Sequence, residues 1–449
     1  MSKILSSIIF LLFLHHCSFD NKTGIWTDGD YLAKESIKKE NNKKKLTPIF
    51  SKKENFKKEV KAPNLFDYKF SELVKNINWT QEYYNDQNNL SNIFYENFNN
   101  IIFKSSKISK RKLNKNIYFI EKNFIYSDIK GTIYVYSLEK KKITYKYNFY
   151  KKKYKKFNIK VNLIIYENVI YAADNLGYIY AINYQDKKIL WAKNYGTPFL
   201  SNLKKIGDQI LLSNQDNKMY SIDIYNGDNR WSLLTDNSVL KTTYKNNLVL
   251  DYENNLIFLN ANGSLYSIDL LNKKLNWTLN FRPSLNYDSN NLFYANPLTI
   301  NDNEVLVSTN NNLSLHNTTT GAQIWSRLIS SQTKPIFSNE VVYILSDSNL
   351  LICIDKVNGN TIWSKNIFSQ FASSKKNKII NKINKIKYFY LTSNKLLLIS
   401  KNGYVMEFNP KRGSLTKVNK LLNKPYLEPL FANGNLYILN NSKKIIGYN

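Results

Sequence analysis

Two cysteines, three histidines and a set of recurring tryptophans are the side chains in this 449-residue sequence with chemistry to offer. Cys17 directly follows "MSKILSSIIFLLFLHH", in which Lys3 precedes an apolar stretch from Ile4 to Leu14. That stretch is too short to cross a bilayer and has the length of an export signal, so residues 1–16 read as a signal peptide. A cysteine at this place, with Leu14 three residues before it, offers its thiol as the acceptor of a lipid. His15 and His16 stand where such signals carry small residues, which keeps an uncleaved anchor or a plain buried cysteine as alternatives. Ser18 is of the kind that permits sorting to an outer membrane.

Cys353 is the second thiol, so no intramolecular disulfide is expected in the mature chain. It falls in a sequence column otherwise filled by Val135, Ala181, Ser221, Ser267, Leu315, Glu407 and Gly447, which calls for a small buried side chain. His316 shares a column with Tyr136, Ile182, Ile222, Ile268, Ile354, Phe408 and Tyr448, and reads as a core residue. The carboxylates are sparse and sit mostly at turn positions. No Asp/Glu/His cluster suggests a metal site or an acid–base pair, so neither a cofactor nor catalysis is expected.

The tryptophans close a recurring unit. "GYIYAINYQDKKILW" (177–191) returns in copies ending at Trp231, Trp277, Trp325 and Trp363, with weaker copies ending at Tyr145 and Lys417. Positions 3 to 6 of each copy have strand character, position 7 is Ser, Asn or Asp, and position 11 is Gly227, Gly321, Gly359 or Gly413 in four copies and Lys in the others. An Asn or Asp that folds back on the backbone, followed by a residue at positive φ, makes a turn. A further strand then runs into the aromatic, which reads as packing at the boundary of the unit.

Upstream of every copy lies another apolar run, such as "VIYAAD" at 169 or "VVYILSDS" at 341, and there are eight such runs. Successive copies end 46, 40, 46, 48, 38 and 54 residues apart, the period of propeller blades. The expected fold is all-β: an eight-bladed β-propeller of four-stranded antiparallel blades. Residues 443–449, "KKIIGYN", match only the first seven positions of an eighth copy, and "ELVKNINW" (72–79), ending at Trp79, supplies the remainder. The N- and C-terminal segments then share one blade, which closes the ring and removes an exposed strand edge.

The formal charge of +30 is concentrated in residues 34–61, 104–115, 140–156 and 375–387, leaving the repeats near neutral. Runs of like charge stay in water, so these read as linkers and loops, and nucleic acid is not expected as a partner. The Tyr-interleaved run at 140–156 keeps phosphate on lipid or polysaccharide open as a ligand. Residues 17–62 are Lys-rich and poor in apolar content and read as a flexible tether, with "GIWTDGD" (24–30) as its apolar island; the propeller follows over 63–449.

The Gly-x-apolar-Tyr-Ala-apolar-Asn strand and turn, followed by apolar-Trp, resembles the pyrroloquinoline-quinone (PQQ) repeat over residues 72–449. Two branches share that repeat. Quinoprotein dehydrogenases use adjacent cysteines, a stacking Trp and Ca²⁺-binding carboxylates, and the chain lacks the first and the last. The other branch, outer-membrane barrel-assembly lipoproteins of the BamB type, is similar in its lipid anchor, tether and truncated terminal copy. This resemblance implies a periplasmic scaffold, anchored at the outer membrane, that binds the central barrel-assembly protein, other subunits of that complex and client strands. The family carries Leu-Arg-Gly in the loop that corresponds to 232–247, where Leu240 matches, Lys241 replaces Arg and Thr242 replaces Gly. Lys keeps the charge and loses the planar fork. Arg282 and Tyr287, in the long connection after Trp277, are further candidates for partner contact. A degenerate quinoprotein and an envelope polysaccharide or anionic-lipid binding module are the alternatives.

Overall fold

The computed structural model describes residues 17–19, 26–28 and 56–449, apart from 65–67, 91, 98, 151–153, 155, 237–242, 283–292, 372–375 and 384. The chain forms two units, Met1–Glu54 and Asn55–Asn449. In the first, Cys17–Phe19 pairs antiparallel with Trp26–Asp28, which sets Cys17 opposite Asp28 and takes up the apolar island. The signal peptide expected at 1–16 lies outside the described residues.

The second unit is an eight-bladed propeller of four-stranded antiparallel sheets. Blades 1 to 7 each use four consecutive strands, and their innermost strands are Leu113–Ile120, Val161–Tyr166, Lys204–Ile206, Asn247–Leu250, Thr299–Asn301, Ile336–Ser338 and Ile386–Thr392. Blade 8 has Leu430–Ala432 innermost, and that strand packs beside the inner strand of blade 1. The middle strands are buried on both faces, as in Thr132–Ser137 and Val341–Leu345, because each blade is sandwiched between two others. This is why the apolar runs read as continuous rather than alternating. Outer strands are different: in Lys188–Asn194, Trp191 is the one buried side chain.

That Trp is the contact between blades. Across the outer pair of strands it lies opposite the small-residue column: Ala181 faces Trp191, Ser221 faces Trp231, Ser267 faces Trp277 and Cys353 faces Trp363. A bulge follows that column in blades 1 to 7. Cys353 is therefore small because a ring covers it; burial pushes its thiol pKa far up.

The indole N–H then reaches the next blade. Trp191 donates to Ile224 O at 2.8 Å, Trp277 to Thr318 O at 2.8 Å, Trp325 to Lys356 O at 2.7 Å and Trp363 to Pro410 O at 3.1 Å. Three residues beyond each acceptor stands Gly227, Gly321, Gly359 or Gly413, at φ between +63° and +75°, and an added Cβ would run into the same Trp ring. The glycines thus serve both the turn and the ring above it. Where the next blade has Lys273 or Lys187 at that place, also at positive φ, Trp231 Nε1 and Tyr145 OH are buried without a partner. Blade 7 departs altogether: Glu407 and Lys417 occupy the small and aromatic positions, 3.9 Å apart.

His316 is a core residue, its ring between Ser314 Oγ at 2.9 Å and Gly321 O at 3.3 Å, edge-on to Phe281. Burial lowers its pKa.

Closure by a shared blade is as expected, but through a different segment. The outer strand of blade 8 is Ile101–Lys104, with Ile101 opposite Tyr448 and Phe103 opposite Gly447. Residues 72–79 do not supply it. Trp79 instead exchanges backbone hydrogen bonds with Phe119, on the inner strand of blade 1, at 2.6 and 2.8 Å. The physical reason lies in the two compositions: "IIFK" has strand character and packs Phe103 against the core that holds Tyr437 and Tyr448, whereas "KNINW" carries amides suited to open backbone groups. The tether expected to run to residue 62 is also too long. Val60 pairs with Ser364 on the outer strand of blade 6, and Ser364 Oγ donates to Lys58 O at 2.6 Å, so 56–62 belong to the propeller.

Trp363 is fully buried. Trp363→Ala should lower stability by about 3–5 kcal/mol in urea titration, and Trp231→Ala by clearly less, since its N–H docks nowhere and the ring is only half-buried.

Candidate partner face and axial cup

The antiparallel meander sorts the connections by end. At one end, here the loop face, the outer strand of each blade crosses to the inner strand of the next; the other end carries the tight turns that follow the inner and third strands.

Inner strands have one backbone edge turned to the axis with no sheet neighbour. Residues 76–95 fill that axis and reach all eight. Trp79 takes blade 1, and Thr80 O accepts from Ile165 N in blade 2 at 2.9 Å. Lys204 of blade 3 donates to Gln81 Oε1, Asn85 O and Asn88 Oδ1 at 3.2, 2.6 and 2.7 Å. Asp86 O accepts from Leu250 N in blade 4 at 2.9 Å and Gln87 O from Ile300 N in blade 5 at 3.0 Å. The Asn89 amide donates to Phe337 O in blade 6 at 3.0 Å, Ile93 N to Leu391 O in blade 7 at 3.0 Å, and the Asn76 amide to Phe431 O in blade 8. The axis is therefore a packed plug of the chain's own backbone and amides.

Two buried charges hold the plug. Lys204 is fully buried; burial lowers its pKa to about 7, against the opposing pull of Asp86 and Glu82. Its three acceptors match the three protons of an ammonium, so the charged form satisfies every one of them. Glu82 accepts from Lys245 at 3.0 and 3.2 Å, and Lys245 also reaches Asn162 Oδ1 at 2.7 Å. Burial alone would raise the Glu82 pKa, but the Lys245 charge and hydrogen bonds, with those of Asn116 and Tyr83, bring it below the usual value.

The plug leaves a cup at the loop face. Its volume is about 180 Å³; Trp79, Tyr83 and Leu90 come from the plug, and Pro297, Ile336 and Tyr388 from the surrounding blades. Thr333, Lys334, Lys387, Tyr390 and Glu428 add polar groups to the lining. Lys334 Nζ donates to Asn88 O, Lys387 Nζ to Tyr426 O at 3.4 Å, and Tyr390 OH reaches Glu428 Oε1 at 3.5 Å. The Thr333 hydroxyl is buried without a partner. Burial lowers the Lys334 pKa to about 8 and raises that of Glu428 to about 7.

The two connections expected to meet a partner are neighbours on this same face. Tyr244 and Tyr294, one from each, stack edge to face with centroids 5.7 Å apart. Arg282 Nη2 pairs with Asp236 Oδ2 at 3.1 Å and its Nε donates to Asn262 O at 3.0 Å. Asp236 in turn accepts from Ser264 Oγ, and its carbonyl from the Asn217 amide at 3.1 Å. Arg282 is thus a half-exposed clamp between the two loop stems. Leu240, Lys241 and Tyr287 lie outside the described residues. Of the basic stretches, the turn at Lys140–Lys142 lies at the opposite end, whereas the connection from Lys104 to Leu113 and the Lys376–Ile383 helix lie on the loop face.

Sequence reasoning missed the plug, Lys204, Glu82 and the cup. The available signal was "NWTQEYYNDQNN" (78–89), a stretch of amides and aromatics with neither strand alternation nor loop glycines.

Residues 160–365 match the family model described as outer membrane protein assembly factor BamB. No curated protein matches the sequence. Among solved structures, BamB from Moraxella catarrhalis is 14% identical with a TM-score of 0.60, over 78% of this chain and 99% of that one. The computationally designed Ika8 protein gives 9%, 0.56, 78% and 99% on the same measures. Quinohemoprotein alcohol dehydrogenase from Comamonas testosteroni gives 9% and 0.59, over 83% of this chain and 80% of that chain. These likenesses show the fold, an eight-bladed propeller of PQQ-type repeats similar to BamB.

The last of them raises a quinone cofactor, and the residues present do not fit one. The axis is filled by residues 76–95, adjacent cysteines are lacking, and among the described residues no three metal-binding side chains converge.

Lys204→Met strands three buried acceptors and should cost about 2–5 kcal/mol in urea titration. Because the Glu82 pKa is lowered on folding, its stabilisation is present above the usual value of 4.5 and is lost as pH falls through the folded value. The stability gap between wild type and Glu82→Gln should therefore be widest near neutrality and narrow below about pH 4.5, measured as urea midpoints across that range.

Proposed function

We propose that this propeller, similar to BamB over residues 160–365, is a non-catalytic scaffold of the outer-membrane barrel-assembly kind. In this reading a lipid on Cys17 holds it at the periplasmic face of the outer membrane, and the loop face binds the central barrel-assembly protein and, beside it, client strands. The observation that carries the reading is the convergence on that face of the loops at 235–246 and 281–298, joined by the Arg282–Asp236 pair and the Tyr244–Tyr294 contact. Arginine and tyrosine are the residue types that anchor interfaces. Leu240, Lys241 and Tyr287 belong to the same two loops.

The filled axis speaks against the quinoprotein.

The test is affinity purification of the lipid-anchored chain from its native envelope. A barrel-assembly protein should copurify, and Arg282→Glu should reduce the yield about tenfold or more. Arg282→Ala should change stability by under about 1 kcal/mol, as befits a half-exposed pair, so a loss of partner is not a loss of fold. Recovery of no such protein, or a melting temperature raised by added PQQ, refutes the scaffold reading.

A further inference from the structure

The cup has the composition of a ligand site rather than of a packing defect. A void left by imperfect packing is lined by apolar groups and stays dry. This one pairs aromatic walls, Trp79, Tyr83 and Tyr388, with two ammonium groups, Lys334 and Lys387. Neither ammonium has a carboxylate partner within ion-pairing distance among the described residues; each donates to one backbone carbonyl. An ammonium has three protons to place, so both retain unused donors. Thr333 adds a buried hydroxyl with no partner in the protein. Among the buried polar groups without a partner it is the one that lines the cup, where a ligand oxygen could pair with it.

Glu428 faces the same space. Burial raises its pKa to about 7 against the pull of Lys334 and Lys387, so near neutrality it is protonated in part of the molecules and can then donate to an oxygen. A cavity of about 150 Å³ is known to hold a benzene ring, so about 180 Å³ admits a ring with a short acidic arm and little more.

We propose that the cup binds a small aromatic monocarboxylate, its ring between Trp79, Tyr83 and Tyr388 and its carboxylate at Lys334, Lys387 and Thr333. The plug supplies the Trp79, Tyr83 and Leu90 side of this site, so the segment that fills the axis also shapes the binding surface. The inference is separate from the scaffold reading, because the ring and carboxylate contacts it invokes lie outside the loops at 235–246 and 281–298, of which only Pro297 borders the cup.

Ligand-observed NMR on the full chain in detergent tests it with 3-phenylpropanoate as the probe. The acid should bind with a Kd of about 1 mM, given its size, and 3-phenylpropanol, which keeps the ring and lacks the charge, about tenfold more weakly. Lys387→Met should weaken the acid about fivefold or more with little change in melting temperature, since that side chain is exposed and is held only by a 3.4 Å contact to Tyr426 O and by the Tyr388 ring 4.9 Å away. Lys334→Gln should do the same, and if loss of the Asn88 contact unfolds the chain, Lys387→Met still carries the test. Gly-Gly-Phe compared with its C-terminal amide reports whether a chain end can present the group: binding of the free peptide alone supports the same chemistry on a peptide, and binding of the free acid alone supports it on a metabolite. Equal binding of acid and alcohol, no effect of Lys387→Met, or no binding of either carboxylate up to about 20 mM overturns the proposal.

Discussion

A ring of radial sheets leaves each inner strand with backbone donors and acceptors facing the axis and no strand beside them. Buried peptide groups without partners are costly, and a central hole of this width must be wet or filled. Here residues 76–95 fill it. The plug is no ninth sheet; it is an irregular segment that gives each blade a partner by whatever group is in reach, backbone at Thr80, Asp86, Gln87 and Ile93, amide at Asn76 and Asn89, and the Lys204 ammonium from the opposite side. Its richness in Asn follows from this. A short amide carries both donor and acceptor and can adapt to strand ends that present either.

The radial joints follow a second rule. A ring on one outer strand sits over a glycine of the next blade and donates to a carbonyl three residues before it. One polar bond orients a large apolar contact, so the angle between blades is set as well as the attraction. Where the glycine is replaced by Lys187 or Lys273, the aromatic stays and the bond is lost. These two joints tolerate the loss of the bond but keep the bulk; in blade 7, with Lys417 at the aromatic position, both are gone.

Fold and blade number were legible in the sequence because both rest on local periodicity: eight apolar runs, six Asx turns with a serine turn at Ser137, and a ring-bearing outer strand at fixed spacing. The shared blade was legible as a need and misplaced as a segment. "ELVKNINW" resembles the end of a repeat, but the pairing partner of Tyr448 is chosen by what packs beside it, and "IIFK" brings Phe103 against that core. The site was far less legible. Lys204 sits in a short inner strand whose sequence marks it as one more surface lysine; only the arrival of Gln81, Asn85 and Asn88 from far along the chain turns it into an anchor. Long-range polar contacts of that kind have no period to betray them. Arg282 stood out by residue type, yet its ion pair with Asp236 spans two loops of different blades.

The plug also has a bearing on how the molecule comes to be. Ile93 meets Leu391 and Asn76 meets Phe431, so groups synthesised early wait for partners made at the very end. Contacts so distant along the chain form slowly, and until they form the inner edges of the blades stay open to adventitious pairing. A polypeptide cut short before its last blade would have an axle and no closed wheel to grip it, with Asn76 deprived of the carbonyl it bonds.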